Sequence, residues 1–228
     1  MEKSTEERTL EDAEKVADYF LKNKLLPNSY KTKMDAVKAI LLGRSIGLDD
    51  YTAIRSIDII QGTPALSSRA MAGLMTKAGI SIEILKDYEP IIESKPAYML
   101  DDEGKPTFDA GGRVKCYMDY DGTPIIRETI IDHETVILVT RYYKNIGVVT
   151  TPVTMRLSWA EKAGWLTKKT WIELSPFLML ARCLSRSSRL VAADITSFLY
   201  SSEEVAEFTP GVEMDLDSEG EVVITQKE

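Results

Sequence analysis

The chain has 228 residues, 44% of them hydrophobic, and 28 Lys/Arg against 36 Asp/Glu give it a formal net charge of −8. This length can bury one sizeable core or two small ones. No apolar run approaches the roughly 20 residues of a membrane helix, and the charged N-terminus lacks the apolar stretch of a secretory signal. Two separated cysteines, a single histidine and the absence of a P-loop motif predict a reducing cytoplasm, no zinc site and no nucleotide hydrolysis.

Helical periodicity dominates the first third of the chain. Apolar residues recur at helical spacing over residues 9–24 and again over residues 33–46, with Pro27 between the two segments. A short helix over residues 51–55 then leads into a strand over residues 57–61. Ser67 is a predicted N-cap for the helix that follows, whose inward face consists of Met71, Leu74, Met75 and Ala78.

The middle of the chain alternates like β-structure. Val114, Cys116 and Met118 alternate with polar or amphipathic neighbours, which is the pattern of a half-buried strand. Asp121-Gly122 is a strong hairpin turn. Further strands are predicted over residues 80–85, 125–131, 136–140 and 148–155. We therefore expect an antiparallel meander of three to five strands.

A long helix is predicted near the C-terminus, over residues 176–199, after a short helix over residues 158–165. Ser175 would be its N-cap and Pro176 its first residue. One apolar stripe follows its length, formed by Leu174, Phe177, Ala181, Leu184, Val191, Ile195 and Phe198. The fold class is thus α+β, a small antiparallel sheet on a long C-terminal helix with N-terminal helices. Residues 1–205 form the domain, and the acidic residues 206–228 are expected to be disordered.

A basic block interrupts this acidic chain between residues 141 and 190, where nine Lys/Arg face two acids. Within it, Arg182, Arg186 and Arg189 lie roughly opposite the apolar stripe of the long helix. Guanidinium groups suit phosphate because their planar fork can bond two oxygens at once. The alternative is that these arginines pair with acids of residues 83–121 and tie the helix to the sheet.

Lysine or arginine residues alternate with aromatic residues in several segments. This composition suits the binding of single-stranded nucleic acid, because nucleobases stack on aromatic side chains. The alternative for Trp165 and Trp171 is packing in the core, and for Ser67 a role as a cap alone. The predicted DNA-binding residues are Arg182, Arg186, Arg189, Lys168, Lys169, Arg141, Lys144, Arg113, Lys115, Arg69, Lys77, Tyr142 and Tyr143.

Two stretches carry a family resemblance. Residues 39–80 contain Gly43-Arg44-Ser45-Ile46-Gly47-Leu48 and the segment from Ile57 to Ser68. Residues 158–204 contain, in order, Ala163-Gly164-Trp165-Leu166, Trp171, Pro176, Met179-Leu180, Arg182, Ser185, Arg189, Asp194, Tyr200 and Glu203-Glu204. In these the chain resembles the RecT-type phage recombinases, the single-strand annealing proteins.

The resemblance implies ATP-independent binding of single-stranded DNA and annealing of complementary strands, with no catalytic residue, metal or cofactor. It also implies a ring or helical filament of identical chains in the cytoplasm of a bacterial host, beside a phage exonuclease that makes the single strand. Larger members have a more extensive C-terminal region than this chain. Two alternatives stay open: a protein that coats single strands without annealing them, and a metal-dependent nuclease using acids such as Asp119 and Asp121.

Overall fold

The computed structural model describes residues 5–27, 30–197, 199–216 and 222–226. The helices are α1 (Thr5–Lys22), α2 (Lys33–Ser45), α3 (Asp50–Ser56), α4 (Ser68–Lys77), α5 (Leu157–Lys162), α6 (Lys169–Val191), α7 (Ala193–Thr196) and α8 (Ser202–Phe208). The strands are β1 (Ile57–Ile60), β2 (Thr63–Leu66), β3 (Ser81–Pro96), β4 (Ile126–Tyr143), β5 (Gly147–Arg156), β6 (Val212–Leu216) and β7 (Val222–Gln226). A 3₁₀ turn, Trp165–Thr167, precedes α6.

Helices α1–α4 and the β1–β2 hairpin enclose one apolar core. Local caps define the ends of these helices: Thr32 and Asp35 form a capping box at α2, and the Ser67 hydroxyl accepts from the Ala70 amide at α4, as predicted. Buried residues of this core include Val37, Ile40 and Ile54. The strand β2 was not predicted, because Gly62, Thr63 and Pro64 are residues typical of turns.

A three-stranded antiparallel sheet in the order β3-β4-β5 packs one face on α6. Ile137 and Val139 of β4 and Val153 of β5 point toward α6 and bury against residues such as Met179. The predicted α+β architecture, a small antiparallel sheet on a long C-terminal helix, is confirmed. The opposite face of β4 and β5 carries residues such as Tyr142 and Thr150, which are exposed.

Helix α6 begins earlier than expected and is kinked. It starts at Lys169, and Leu174 interrupts it with φ −121° and ψ 21°. The non-helical residue is therefore Leu174, one position before the predicted N-cap Ser175, and Pro176 lies in the first turn after the kink, where its missing N–H costs least. Helix α6 ends at Val191, and α7 follows after Ala192. Phe198, predicted on the apolar stripe, lies outside the described residues.

The distal parts of β3 and β4 and the turns between them form what we call the arm, residues 85–131. Ala97 is its one buried apolar residue among those described. The predicted strand at Val114–Met118 is not a regular strand: short bridges join Tyr98 to Cys116, Phe108 to Val114 and Met118 to Pro124. Its side chains are mostly exposed because the arm extends beyond both apolar cores.

The expected disorder after residue 206 is corrected where the chain is described. Helix α8 continues to Phe208, and β6 pairs with β7 in an antiparallel hairpin. Met214 and Ile224 face each other across this hairpin and are buried in the α6-containing core. Alternation of apolar and acidic residues outweighs the acidic composition because one face of the hairpin finds a core to cover.

Candidate nucleic-acid interface

Arg182 lies inside the junction between α6 and α8. Its guanidinium donates to Glu204 Oε1 at 3.0 Å and to the carboxylate of Glu207. The guanidinium also lies 4.4 Å above the centre of the Trp165 ring. Only 14% of the Arg182 side chain is exposed. Its charge is therefore matched by acids of α8.

Arg189 points into the same junction. It donates to Glu204 Oε2 at 2.5 Å and Oε1 at 2.9 Å, and 29% of its side chain is exposed. The Ser185 hydroxyl also donates to Glu204. Burial alone would raise the pKa of Glu204, but the hydrogen bonds from Arg189 and Ser185 outweigh it and lower the pKa to about 2.

The expectation that Arg182 and Arg189 form a solvent-exposed face is wrong. Their partners are also not the acids of residues 83–121 considered as the alternative, but Glu204 and Glu207 on α8. A buried ion pair of this kind fixes the position of one helix against another. In the sequence Glu204 was singled out in the stretch that carries the family resemblance, and Glu207 was missed altogether.

The two tryptophans complete this junction. Trp171 is fully buried and donates from Nε1 to Glu207 Oε1 at 2.9 Å, and its ring lies 5.2 Å from that of Trp165. Lys168 Nζ donates to the Glu207 backbone oxygen at 2.5 Å. These contacts agree with the alternative that Trp165 and Trp171 pack in the core rather than stack on nucleobases. The Lys168 ammonium is therefore bound to α8 and does not point freely into solvent.

Arg186 differs from the other two arginines of the row because it is exposed. No ion pair to Arg186 occurs among the described residues. Its neighbour one turn on, Leu190, is also exposed, so this side of α6 is open to solvent. The helix therefore presents one arginine outward and two inward.

The end of β4 meets the C-terminal end of α6. Arg141 forms a two-point ion pair with Asp194, both contacts at 2.6 Å, and donates to the Val191 backbone oxygen at 2.5 Å. Tyr143 lies beside it, its hydroxyl 3.4 Å from the same oxygen. Tyr142 points the other way, with 68% of its side chain exposed. Lys144, in the following turn, is exposed as well.

The remaining predicted residues lie on separate parts of the surface. Lys169 is exposed, 3.7 Å from Glu173, and Lys77 donates to the Gly47 oxygen at 3.2 Å. Arg113 and Lys115 are exposed on the arm, and Arg69 lines a cleft of about 350 Å³ at the start of α4. The structure thus brings together Arg141 and Tyr143 at the end of β4, and it leaves Tyr142, Lys144 and Arg186 exposed elsewhere. It does not bring all thirteen residues onto one surface.

The acids considered for a nuclease have local partners. The Asp119 carboxylate accepts the amides of Asp121 and Thr123 at 3.2 and 2.9 Å, within its own turn. The Thr123 hydroxyl donates to Asp121, and this hydrogen bond lowers the pKa of Asp121. In the described part of the chain, no group of three or more His, Cys, Asp or Glu is placed to hold a metal ion. None of its helices is both long and apolar enough to cross a membrane.

Comparison with known proteins identifies no relative. No protein-family model, no curated protein and no solved structure matches this chain.

Proposed function

We propose that this protein binds single-stranded DNA and anneals complementary strands without ATP, metal or other cofactor, as the resemblance to RecT-type recombinases implies. The observation that carries the proposal is the basic block of residues 141–190, with nine Lys/Arg against two acids in a chain of net charge −8. Within that block Arg186, Lys144 and Lys162 are exposed and make no ion pair with the described residues. The other six cations of the block are engaged: Arg182 and Arg189 by acids of α8, Arg141, Arg156 and Lys169 by Asp194, Glu134 and Glu173, and Lys168 by the Glu207 backbone oxygen.

The proposed DNA contacts are Lys144 and Tyr142 at the end of the sheet and Arg186 on α6, all of which are exposed. Arg186 and Lys144 contact phosphates, and an exposed Tyr142 ring stacks on a base, a contact that contributes about 1–3 kcal/mol for any base. Base pairing between the two strands supplies the free energy of annealing. The protein contributes charge neutralisation and alignment, so hydrolysis is not required.

The partners belong to the same proposal. The single strand comes from an exonuclease of the phage, the chain acts as a ring or helical filament of identical copies, and the setting is the cytoplasm of a bacterial host. A protein that only coats single strands would use the same cations and ring. The two activities differ in one outcome, because a coating protein slows the pairing of complementary strands.

The test is annealing of complementary labelled oligonucleotides, followed by fluorescence quenching without ATP or divalent metal. The native chain should accelerate annealing, and Arg186→Ala/Lys144→Ala should lower both the rate and the affinity for a single strand. Each lost phosphate contact should reduce the slope of log affinity against log salt by about 0.7. Tyr142→Ala should weaken binding with little change in that slope.

Two control variants make the result specific. Lys105→Ala removes an exposed lysine of the arm, which is paired to Glu103 at 2.7 Å, and should leave annealing unchanged. Arg182→Ala should lower the free energy of unfolding, whereas Arg186→Ala should not. Annealing that survives Arg186→Ala/Lys144→Ala would place the DNA elsewhere. A native chain that binds a single strand but slows pairing would be a coating protein, and one that does not bind DNA would overturn the proposal.

A further inference from the structure

The arm has one apolar face, and no described part of either core covers it. Along residues 92–130 the even-numbered positions are mostly apolar, with Ser94, Asp102 and Glu128 as polar exceptions, and the odd-numbered ones are mostly polar. Successive residues of a strand point to opposite faces. On this face Ile92 lies opposite Ile130 and Pro96 opposite Ile126, with one polar pair, Ser94 and Glu128, between them. The opposite face pairs Glu93 with Thr129 and Lys95 with Arg127.

Even-numbered residues also pair with one another in the tip of the arm. There the bridged pairs are Leu100–Pro106, Phe108–Val114 and Met118–Pro124. We call the following set the apolar face of the arm: Ile92, Pro96, Tyr98, Leu100, Pro106, Phe108, Val114, Cys116, Met118, Pro124, Ile126 and Ile130. A group of neighbouring exposed apolar residues of this kind marks an interaction site, whereas single exposed apolar residues do not.

The charge around this face favours one kind of partner. The arm carries ten Asp/Glu against six Lys/Arg, and acids such as Asp102, Glu103 and Asp121 lie exposed in its tip turns. The excess of acid disfavours DNA. It also disfavours a second arm stacked face to face, since the two would repel. A partner surface for the arm needs apolar side chains within a basic rim.

Such a surface exists on the same chain, at the corner where α1 ends and α2 begins. We call it the basic corner: Leu21, Lys22, Lys24, Leu25, Lys31 and Met34, all exposed. The nearest acids are engaged, because Asp18 pairs with Lys33 at 2.8 Å and Asp35 caps α2. Residues 15–82 as a whole have ten Lys/Arg against five Asp/Glu.

We infer that the apolar face of the arm docks on the basic corner of a second copy of this chain. The contact joins two different surfaces, so each copy keeps one arm and one corner available, and the assembly grows head to tail into a ring or a filament. This inference rests on the self-assembly contained in the proposed function and names the surfaces that make it. It does not depend on where DNA binds.

The first experiment measures the mass of the full-length chain in solution without DNA, by light scattering on a sizing column. The native chain should form multimers of the 25.5 kDa protomer, and Ile130→Asp, in the apolar face, should be a monomer. Thr129→Asp, the adjacent residue on the polar face, is the matched control and should assemble like the native chain. Lys22→Glu/Lys24→Glu should also be a monomer.

Mixing the two monomeric variants gives the decisive result. Ile130→Asp keeps a native corner and Lys22→Glu/Lys24→Glu keeps a native arm, so together they should form a complex of two chains that cannot grow further. A monomeric native chain, no complex on mixing, or self-assembly of Lys22→Glu/Lys24→Glu would each overturn the inference. Unchanged far-ultraviolet circular dichroism and thermal unfolding of the variants will show that they remain folded.

The annealing assay separates this inference from the DNA-binding proposal. Assembly without DNA binding would leave the docking contact standing and remove the function. DNA binding by a chain that is always monomeric would leave the DNA-binding proposal standing and overturn the docking contact.

Discussion

The α6–α8 junction buries charged side chains, whereas the arm exposes apolar side chains. In the junction, Arg182 and Arg189 point inward to Glu204 and Glu207, and the charges neutralise one another inside the protein. In the arm, the apolar side chains point outward, and backbone hydrogen bonds hold the turns together with the carboxylates of Asp101, Asp109 and Asp119. A row of arginines is therefore not by itself a binding surface, and an alternating strand is not by itself part of a core.

The largest effect should come from removing the carboxylate that both arginines share. Glu204→Gln leaves Arg189 without an acid in the junction, and loss of one member of a buried ion pair costs about 3–5 kcal/mol. We expect the lower end of that range, because part of Arg189 reaches solvent. Urea unfolding followed by circular dichroism will measure it.

The control for this substitution lies in the arm. Glu93→Gln breaks an exposed pair with Lys95, 2.8 Å long, and should leave the free energy of unfolding unchanged. If the two substitutions had equal effects, the junction would be no more important to stability than the surface of the arm.

The stabilisation that Glu204 gives the junction should depend on pH. The pKa of Glu204 is lowered from 4.5 to about 2, so its contribution to stability is complete above pH 4.5 and is lost as the pH falls toward 2. The difference in unfolding free energy between the native chain and Glu204→Gln should therefore be constant from pH 7 to 5 and shrink below that. Other carboxylates titrate in both chains and cancel in the difference. A difference that stays constant down to pH 2 would contradict the lowered pKa.

The last prediction involves no change in stability and compares the reactivity of one cysteine thiol from each region. Burial raises the pKa of Cys183 on α6 to about 12, and its thiol donates to the Thr135 oxygen. Cys116 is partly exposed on the apolar face of the arm. In the folded chain a thiol reagent should modify Cys116 and spare Cys183 until denaturant is added.

The assembled state adds a second comparison to this reaction. If the arm docks on a neighbouring copy, Cys116 should react more slowly in the native chain than in the monomeric Ile130→Asp variant. Equal reaction of both thiols in the folded chain would show that α6 opens readily.

Elements that depend on local signals were predictable from the sequence. Ser67 caps α4 because its hydroxyl reaches an amide three residues on, and this needs no information from the rest of the fold. The alternation at residues 136–140 and 148–155 likewise identified β4 and β5. The lengths of β3 and β4 were underestimated, because a proline such as Pro90 is unfavourable inside a strand. In the structure Pro90 nevertheless pairs with His133 at the root of the arm.

The partners of the arginines were not predictable in the same way. Periodicity shows which residues share a side of α6, but it does not show what packs there. Three serines, Ser185, Ser187 and Ser188, are buried on α6. Small residues at these positions let neighbouring elements approach closely, so α6 is covered on more sides than its apolar stripe indicates. That run of serines was the available signal that Arg182 and Arg189 point into the protein.

The root of the arm has a practical consequence for spectroscopy. The β3–β4 pairing shifts register near Lys86 and Glu89, and Tyr88 has a φ of +55° there. The Tyr88 ring stacks on His133 at 4.4 Å between centroids, with 12° between the ring planes. The sequence contains one histidine, so the imidazole protons of His133 give a single resolved set of NMR signals without any labelling scheme. Ring current from Tyr88 makes their chemical shift a direct reading of how the arm is set on the sheet.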